Sequence, residues 1–186
     1  YGIQLASNSN GNTISGNTVN GNTNYGIYLN SCSNNTISGN TATGNRQGIV
    51  PAFSSSNIIF GNIANSNTNY GIHLIFSNGN TISSNTATGN SEGIRLSSSS
   101  SNNISGNTAN SNINLGIILN SASSNTISGN TANGNSQYSI YLSSSSGNTI
   151  TGNTATGSGY GIVLGFSCNS NNITGKMSSP PVPITA

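Results

Sequence analysis

Apolar residues fall at alternate positions in short bursts along this chain, and the bursts return at a fixed period. Gly-Ile stands at Gly2-Ile3, Gly26-Ile27, Gly48-Ile49, Gly71-Ile72, Gly93-Ile94, Gly116-Ile117 and Gly161-Ile162, with Ser139-Ile140 in the remaining slot. The spacing of 22 to 24 residues makes eight repeats. Two residues after each Ile comes Leu5, Leu29, Leu74, Leu96, Leu119, Leu142 or Leu164, with Pro51 as the exception. Residues at i and i+2 share one face of a strand, so Gly-Ile-x-Leu predicts a strand with Ile and Leu inward and x outward. Farther along each repeat a lone Ile recurs (Ile14, Ile37, Ile59, Ile82, Ile104, Ile127, Ile150, Ile173), mostly flanked by Ser and Thr, and predicts a second strand. Gly-Asn pairs such as Gly39-Asn40 and Gly129-Asn130 follow it. Gly and Asn tolerate the left-handed angles of a tight corner. A third strand is predicted with Val19, Ala42, Ala64, Ala87, Ala109, Ala132 or Ala155 inward, closed by a corner near Asn22, Asn45, Asn67, Asn90, Asn112 and Asn135.

Three strands and three bends per repeat make one turn of a triangular coil. One turn cannot bury its apolar face, but stacked turns bury a thin continuous core. At the spacing of paired strands, eight turns make a rod of about 38 Å, and the corner Asn residues stack into ladders. The pattern Gly-Ile-x-Leu followed by Asn-Thr-Ile-Ser-Gly-Asn-Thr-Ala (Asn35–Ala42 in the second repeat) resembles the right-handed parallel β-helix of the pectin-lyase-like superfold. It is similar to the repeats of periplasmic copper-binding β-helix proteins and of carbohydrate-binding and sugar-hydrolase domains. The resemblance implies an all-β, single-stranded, three-sheet solenoid over residues 1–176, with 177–186 a Pro-rich tail or linker. It does not choose a function, because the superfold carries lyases, hydrolases, tailspikes and adhesins alike.

Composition narrows the field. Charged residues are 2% of the 186: Arg46, Arg95, Lys176 and Glu92. A formal charge of +2, spread along the chain, is no nucleic-acid footprint. No apolar run is long enough to span a bilayer. The strict placement of the aliphatic residues argues against a disordered low-complexity tract. Glycoside hydrolysis needs a carboxylate pair, and Glu92 has no second Asp or Glu to join it. Calcium, which the polysaccharide-cleaving members of the superfold use, prefers several carboxylate oxygens.

The remaining candidates are sparse. Glu92 and Arg95 are spaced to form a weak surface ion pair. His73 occupies an outward x slot as a lone surface histidine. Met177 lies far from it in sequence, so no copper or zinc set is carried over from the resemblance, and no cofactor is expected. Cys32 and Cys168 take a slot otherwise held by Ser9, Ser54, Ser77, Ser99, Ala122 or Ser145, a small-residue ladder. Six turns apart, about 29 Å at the strand spacing, they cannot bond within one chain. All seven Tyr sit in the Gly-Ile-x-Leu strands, and Tyr28 and Tyr141, with His73 and Arg95 in the same outward row, are the candidate contacts for a glycan or partner. Covering the corner is the plainer role for the tyrosines that precede Gly. Outward Thr rows (Thr41 and Thr43, Thr86 and Thr88, Thr154 and Thr156) resemble ice-binding solenoids and are also ordinary strand formers. Asn34, Asn103 and Asn172 head N-glycosylation sequons.

Together these features lead to the expectation of a non-enzymatic structural solenoid at the cell surface or outside the cell, a surface-layer, adhesin or fibre subunit carrying glycan. Its expected partners are a second copy stacked end to end, or neighbouring repeats of a longer chain. The alternatives are a carbohydrate-binding module and an ice-binding protein.

Overall fold

The computed structural model describes residues 1–175, so the tail at 177–186, Lys176 and Met177 lie outside the described residues. Strands alternate between two sheets. The first sheet holds β1 (Ile3–Ala6), β3 (Tyr25–Asn30), β5 (Gln47–Ala52), β7 (Tyr70–Ile75), β9 (Glu92–Ser97), β11 (Leu115–Asn120), β13 (Tyr138–Ser143) and β15 (Tyr160–Leu164). The second holds β2 (Thr13–Ser15), β4 (Thr36–Ser38), β6 (Ile58–Phe60), β8 (Thr81–Ser83), β10 (Asn103–Ser105), β12 (Thr126–Ser128), β14 (Thr149–Thr151) and β16 (Asn172–Thr174). Each sheet has eight strands in chain order, all parallel, which is a parallel β-helix of eight rungs. Register follows the repeat: Ile27 pairs with Ile3 and Ile49, and Ile37 with Ile14 and Ile59.

The third side is leaner than the sequence pattern predicts. It is a chain of single-residue parallel bridges, Thr18–Thr41–Ile63–Thr86–Thr108–Thr131–Thr154. Inside it lie Ala42, Ala64, Ala87, Ala109 and Ala132, all fully buried. The Ala row meets the Gly of the first sheet head on. A Cβ on Gly93 would come within 2.6 Å of Gly116 O, 2.8 Å of Asn112 Nδ2 and 3.0 Å of Ala109 Cβ. Here Gly is needed for closeness of approach and not for its backbone angle.

Asn ladders run along all three corners, one of them ending at Asn135, where Ser158 takes the next place. In one, the Asn67 backbone N–H and side-chain amide both donate to Asn90 Oδ1 (2.8 and 3.1 Å), and the Asn90 amide donates to Asn112 Oδ1 and to Ala64 O. These bonds satisfy corner amides that no strand pairs, as a buried backbone requires. The corners hold many left-handed residues that are not glycine: Ser31 (φ 56°), Ser98 (φ 48°), Ser121 (φ 52°) and Ser144 (φ 49°) all follow first-sheet strands.

Candidate functional site

The outward face of the first sheet carries the side chains that differ from rung to rung. Its middle holds a polar cluster on β5, β7 and β9. Arg95 Nη1 donates to both Glu92 oxygens (3.1 and 2.9 Å), and Arg95 Nε donates to Ser97 Oγ (3.1 Å). Ser97 Oγ lies 3.0 Å from His73 Nε2, and His73 Nδ1 lies 3.1 Å from Gln47 Oε1. Since Ser97 Oγ accepts from Arg95, its proton is available to His73 Nε2, and Nδ1–H donates to the Gln47 carbonyl oxygen. That chain of donors suits a neutral imidazole. Burial, and then the Arg95 charge, push the His73 pKa down to about 3, in agreement. Tyr70 closes the cluster: its ring meets His73 edge-on at 4.5 Å, and the Arg95 guanidinium lies 5.5 Å from its centroid.

Two expectations change here. His73 is no surface histidine: it is 8% exposed, roofed by Tyr70 and Arg95 and bonded through both nitrogens. The Glu92–Arg95 pair is half-buried, with side chains 14% and 20% exposed, and not a loose surface contact. Gln47 and Ser97 complete the cluster and carried no signal in the sequence, since both are everyday outward residues. Pro51 adds a local irregularity. The β5–β7 register lacks the Val50–His73 and Pro51–Leu74 partners, as a proline without N–H would cause.

Aromatic groups flank the cluster. Tyr28 stacks on Tyr25 (4.7 Å) and Tyr1 (5.4 Å) at one end of the rod. Burial, then Tyr25 and Tyr1, raise the Tyr28 phenol above its usual pKa. At the other end Tyr141 stacks on Tyr138 (4.9 Å), which also touches Tyr160 (5.4 Å). The tyrosines thus cover one another along the rod. Asn34, Asn103 and Asn172 are all exposed. Cys32 is buried and Cys168 half-buried, and both are free thiols. The small-residue ladder they belong to is present: Cys32 N–H donates to Ser54 Oγ and Ser54 N–H to Ser77 Oγ, each at 3.0 Å.

The sequence matches the family described as Periplasmic copper-binding protein (NosD) over residues 1–75 and 53–175. The chain belongs to the NosD family. The family's description agrees with a place in the envelope, outside the cytoplasm. Copper calls for several converging imidazole or sulfur ligands. Among the described residues no three of His, Cys, Asp and Glu come together. Both nitrogens of His73 are taken, and Cys32 and Cys168 follow β3 and β15, at far ends of the stack. These residues do not fit a copper ion.

Solved structures of the same shape include the periplasmic alginate epimerase AlgG (TM-score 0.84, 21% identity, 94% of this chain and 47% of that one). The A-module of the Azotobacter vinelandii mannuronan C-5 epimerase AlgE6 matches with TM-score 0.81 and 21% identity over 97% of this chain and 56% of that one. The Dettilon tailspike protein matches with TM-score 0.65 and 15% identity over 96% of this chain and 40% of that one. The chain spans about half the length of the epimerases it matches. No match was found among curated protein sequences.

These likenesses establish the fold, and they overturn the expectation of a non-enzymatic scaffold. The solved proteins that share the rod over nearly all of this chain include enzymes acting on polysaccharide, and nothing supports a fibre, surface-layer or glycoprotein role. A missing carboxylate pair counts against glycoside hydrolysis, but epimerisation at C-5 breaks no glycosidic bond and needs no such pair.

Proposed function

We propose that this chain is the polysaccharide-receiving segment of an envelope enzyme, in the periplasm or at the cell surface. It takes a uronate-containing glycan on the outward face of the first sheet. The observation that carries this reading is the Tyr70–His73–Arg95 cluster, the one place on the described outer face where a cation, an aromatic ring and an imidazole meet. A guanidinium pairs with a sugar carboxylate through charge-assisted hydrogen bonds, and aromatic rings cover the apolar C–H face of a pyranose. Inversion at C-5 removes a proton beside that carboxylate and returns one from the opposite face. The carboxylate must be neutralised for the proton to leave, and Arg95 does so by exchanging its partner Glu92 for the sugar carboxylate. Tyr70 offers a hydroxyl for one of these two proton transfers, and the group on the opposite face of the sugar lies outside this cluster. His73, with its pKa at about 3, is too weak a base for that step and serves to hold Tyr70 and Ser97. The likeness to alginate epimerases supports this reading. So does the family's periplasmic description.

The test is calorimetric titration with mannuronan oligosaccharides, paired with NMR of solvent deuterium entering at C-5. Arg95→Met should weaken binding about tenfold, the size of one lost charge-assisted hydrogen bond. Absence of binding to mannuronan and to any other uronate polymer would overturn the reading. End-to-end stacking, or continuation by neighbouring repeats, is a separate proposal. It is supported by β1, β2, β15 and β16, which stand last in their sheets among the described residues, and is checked by light scattering.

A further inference from the structure

In most rungs the residue that follows the first-sheet strand is a serine held in the left-handed region: Ser7, Ser31, Ser98, Ser121, Ser144. In two consecutive rungs it is phenylalanine, Phe53 (φ 50°) and Phe76 (φ 46°). A bulky side chain in that region is a true outlier, and its strain costs about 1–3 kcal/mol per residue. The core does not recover this cost, since the two rings are 58% and 54% exposed. They stack on each other with centroids 5.3 Å apart and planes within 7°. The pair is bounded along the rod by Ser31 on one side and Ser98 on the other, whose small side chains leave the outer ring faces uncovered. Ile58, Phe60 and Ile63 are also exposed, but they sit in extended strand or bridge positions where an apolar residue carries no strain.

The position of the pair gives it a meaning. Phe53 follows β5 and Phe76 follows β7, the strands that bring Gln47, Tyr70 and His73 to the polar cluster. Tyr70 opens β7 and Phe76 follows its end, so the cluster and the platform lie along one strand. His73, the register partner of Arg95, lies three residues before Phe76, about 10 Å of strand and the scale of a short oligosaccharide. Around the platform the surface is Ser and Asn: Asn78 Oδ1 accepts from Ser100 N–H, and Asn78 N–H donates to Ser55 Oγ. An apolar ring face set among hydroxyls and amides, nearly free of charge, matches a pyranose better than a lipid or an apolar protein surface. We infer that Phe53 and Phe76 form a sugar-stacking subsite, which grips a glycan at the edge of the first sheet, about 10 Å along the strand from the Arg95 position. This rests on the polysaccharide reading above and adds to it a second point of contact and a direction, along the strands of the first sheet.

The test uses Phe53→Ser/Phe76→Ser, which installs the residue that other rungs already carry, with mannuronan oligosaccharides of graded length as probes. The double variant should keep or raise Tm, because strain is relieved. Its affinity should fall about tenfold for oligosaccharides long enough to reach from Arg95 to the platform, a loss of about 1.4 kcal/mol. Affinity for the shortest binding oligosaccharide should be unchanged, and Phe76→Tyr should retain full binding. Equal affinity of wild type and double variant at every length would overturn the inference and leave the polysaccharide reading intact. Wild-type protein that binds no uronate polymer would overturn both. Loss of Tm by several degrees would show that the rings serve packing, and would also overturn it.

Discussion

At the scale of single residues, one departure from the repeat explains another. Every first-sheet strand from β3 to β15 has Gly after its first residue except β13, which has Ser139. The matching corner residue, Asn in the rungs before it, is Ser158, and the two hydroxyl oxygens lie 2.9 Å apart. For Gly116 an added Cβ would come within 2.7 Å of Asn135 Nδ2, so a Cβ at position 139 fits because the corner side chain is short. The compensation has a cost: Asn135 Nδ2, with no Asn to receive it, is buried without a hydrogen-bond partner. Ser158→Asn alone should therefore destabilise by about 1–3 kcal/mol through overpacking. Ser139→Gly/Ser158→Asn should recover that loss and exceed wild type, because Asn135 regains its acceptor. A double-mutant cycle by urea denaturation measures the coupling, and additive single effects would contradict the pairing.

At the scale of the sheet, stability and the site share one titrating group. His73 is the single histidine of the chain, with its folded pKa lowered from 6.5 to about 3. Between those values the unfolded chain holds a proton that the folded protein refuses. Stability is thus complete above about pH 6.5 and falls as pH drops toward 3, by up to about 1.4 kcal/mol per pH unit. Thermal melts between pH 7.5 and 5 should show Tm decreasing on acidification, and His73→Gln should flatten the curve. The same slope in both proteins would place the effect elsewhere. The folded protein keeps His73 neutral over that range, so glycan binding should hold while stability falls.

At the scale of the whole molecule, the rod is a stack in which each rung meets only its neighbours, so cohesion depends on ladders that cross every interface. Asn90 is fully buried at mid-rod, and its removal orphans the Asn67 amides and Ala64 O at once. Asn90→Ala should cost about 3 kcal/mol and lower the cooperativity of unfolding. Asn22→Ala, at the half-buried end of the same ladder, should cost much less. Equal costs at both places, read from urea midpoints and m-values, would show that the ladder does not join the rungs.

The sequence by itself determined the architecture. Strand periodicity, Ile and Leu inward, and Asn at fixed intervals report local backbone geometry repeated eight times, and each repeat confirms the others. It also placed Tyr28, His73, Arg95 and Tyr141 in one outward row, because the period fixes which residues align. Only the tertiary structure decided what that row does with its neighbours. Gln47, His73 and Ser97 come from three different rungs and meet through side-chain length and direction, which no spacing rule encodes. The Phe53–Phe76 platform was half legible: the change from Ser to Phe is plain in the aligned repeats, but the left-handed backbone that makes it costly is not. The third side kept its Ala row and lost its strand, since packing against Gly and the corner Asn leaves room there for a single bridge per rung. Backbone pattern is local and survives in sequence, whereas a site is an encounter between distant side chains and exists only once the coil has closed.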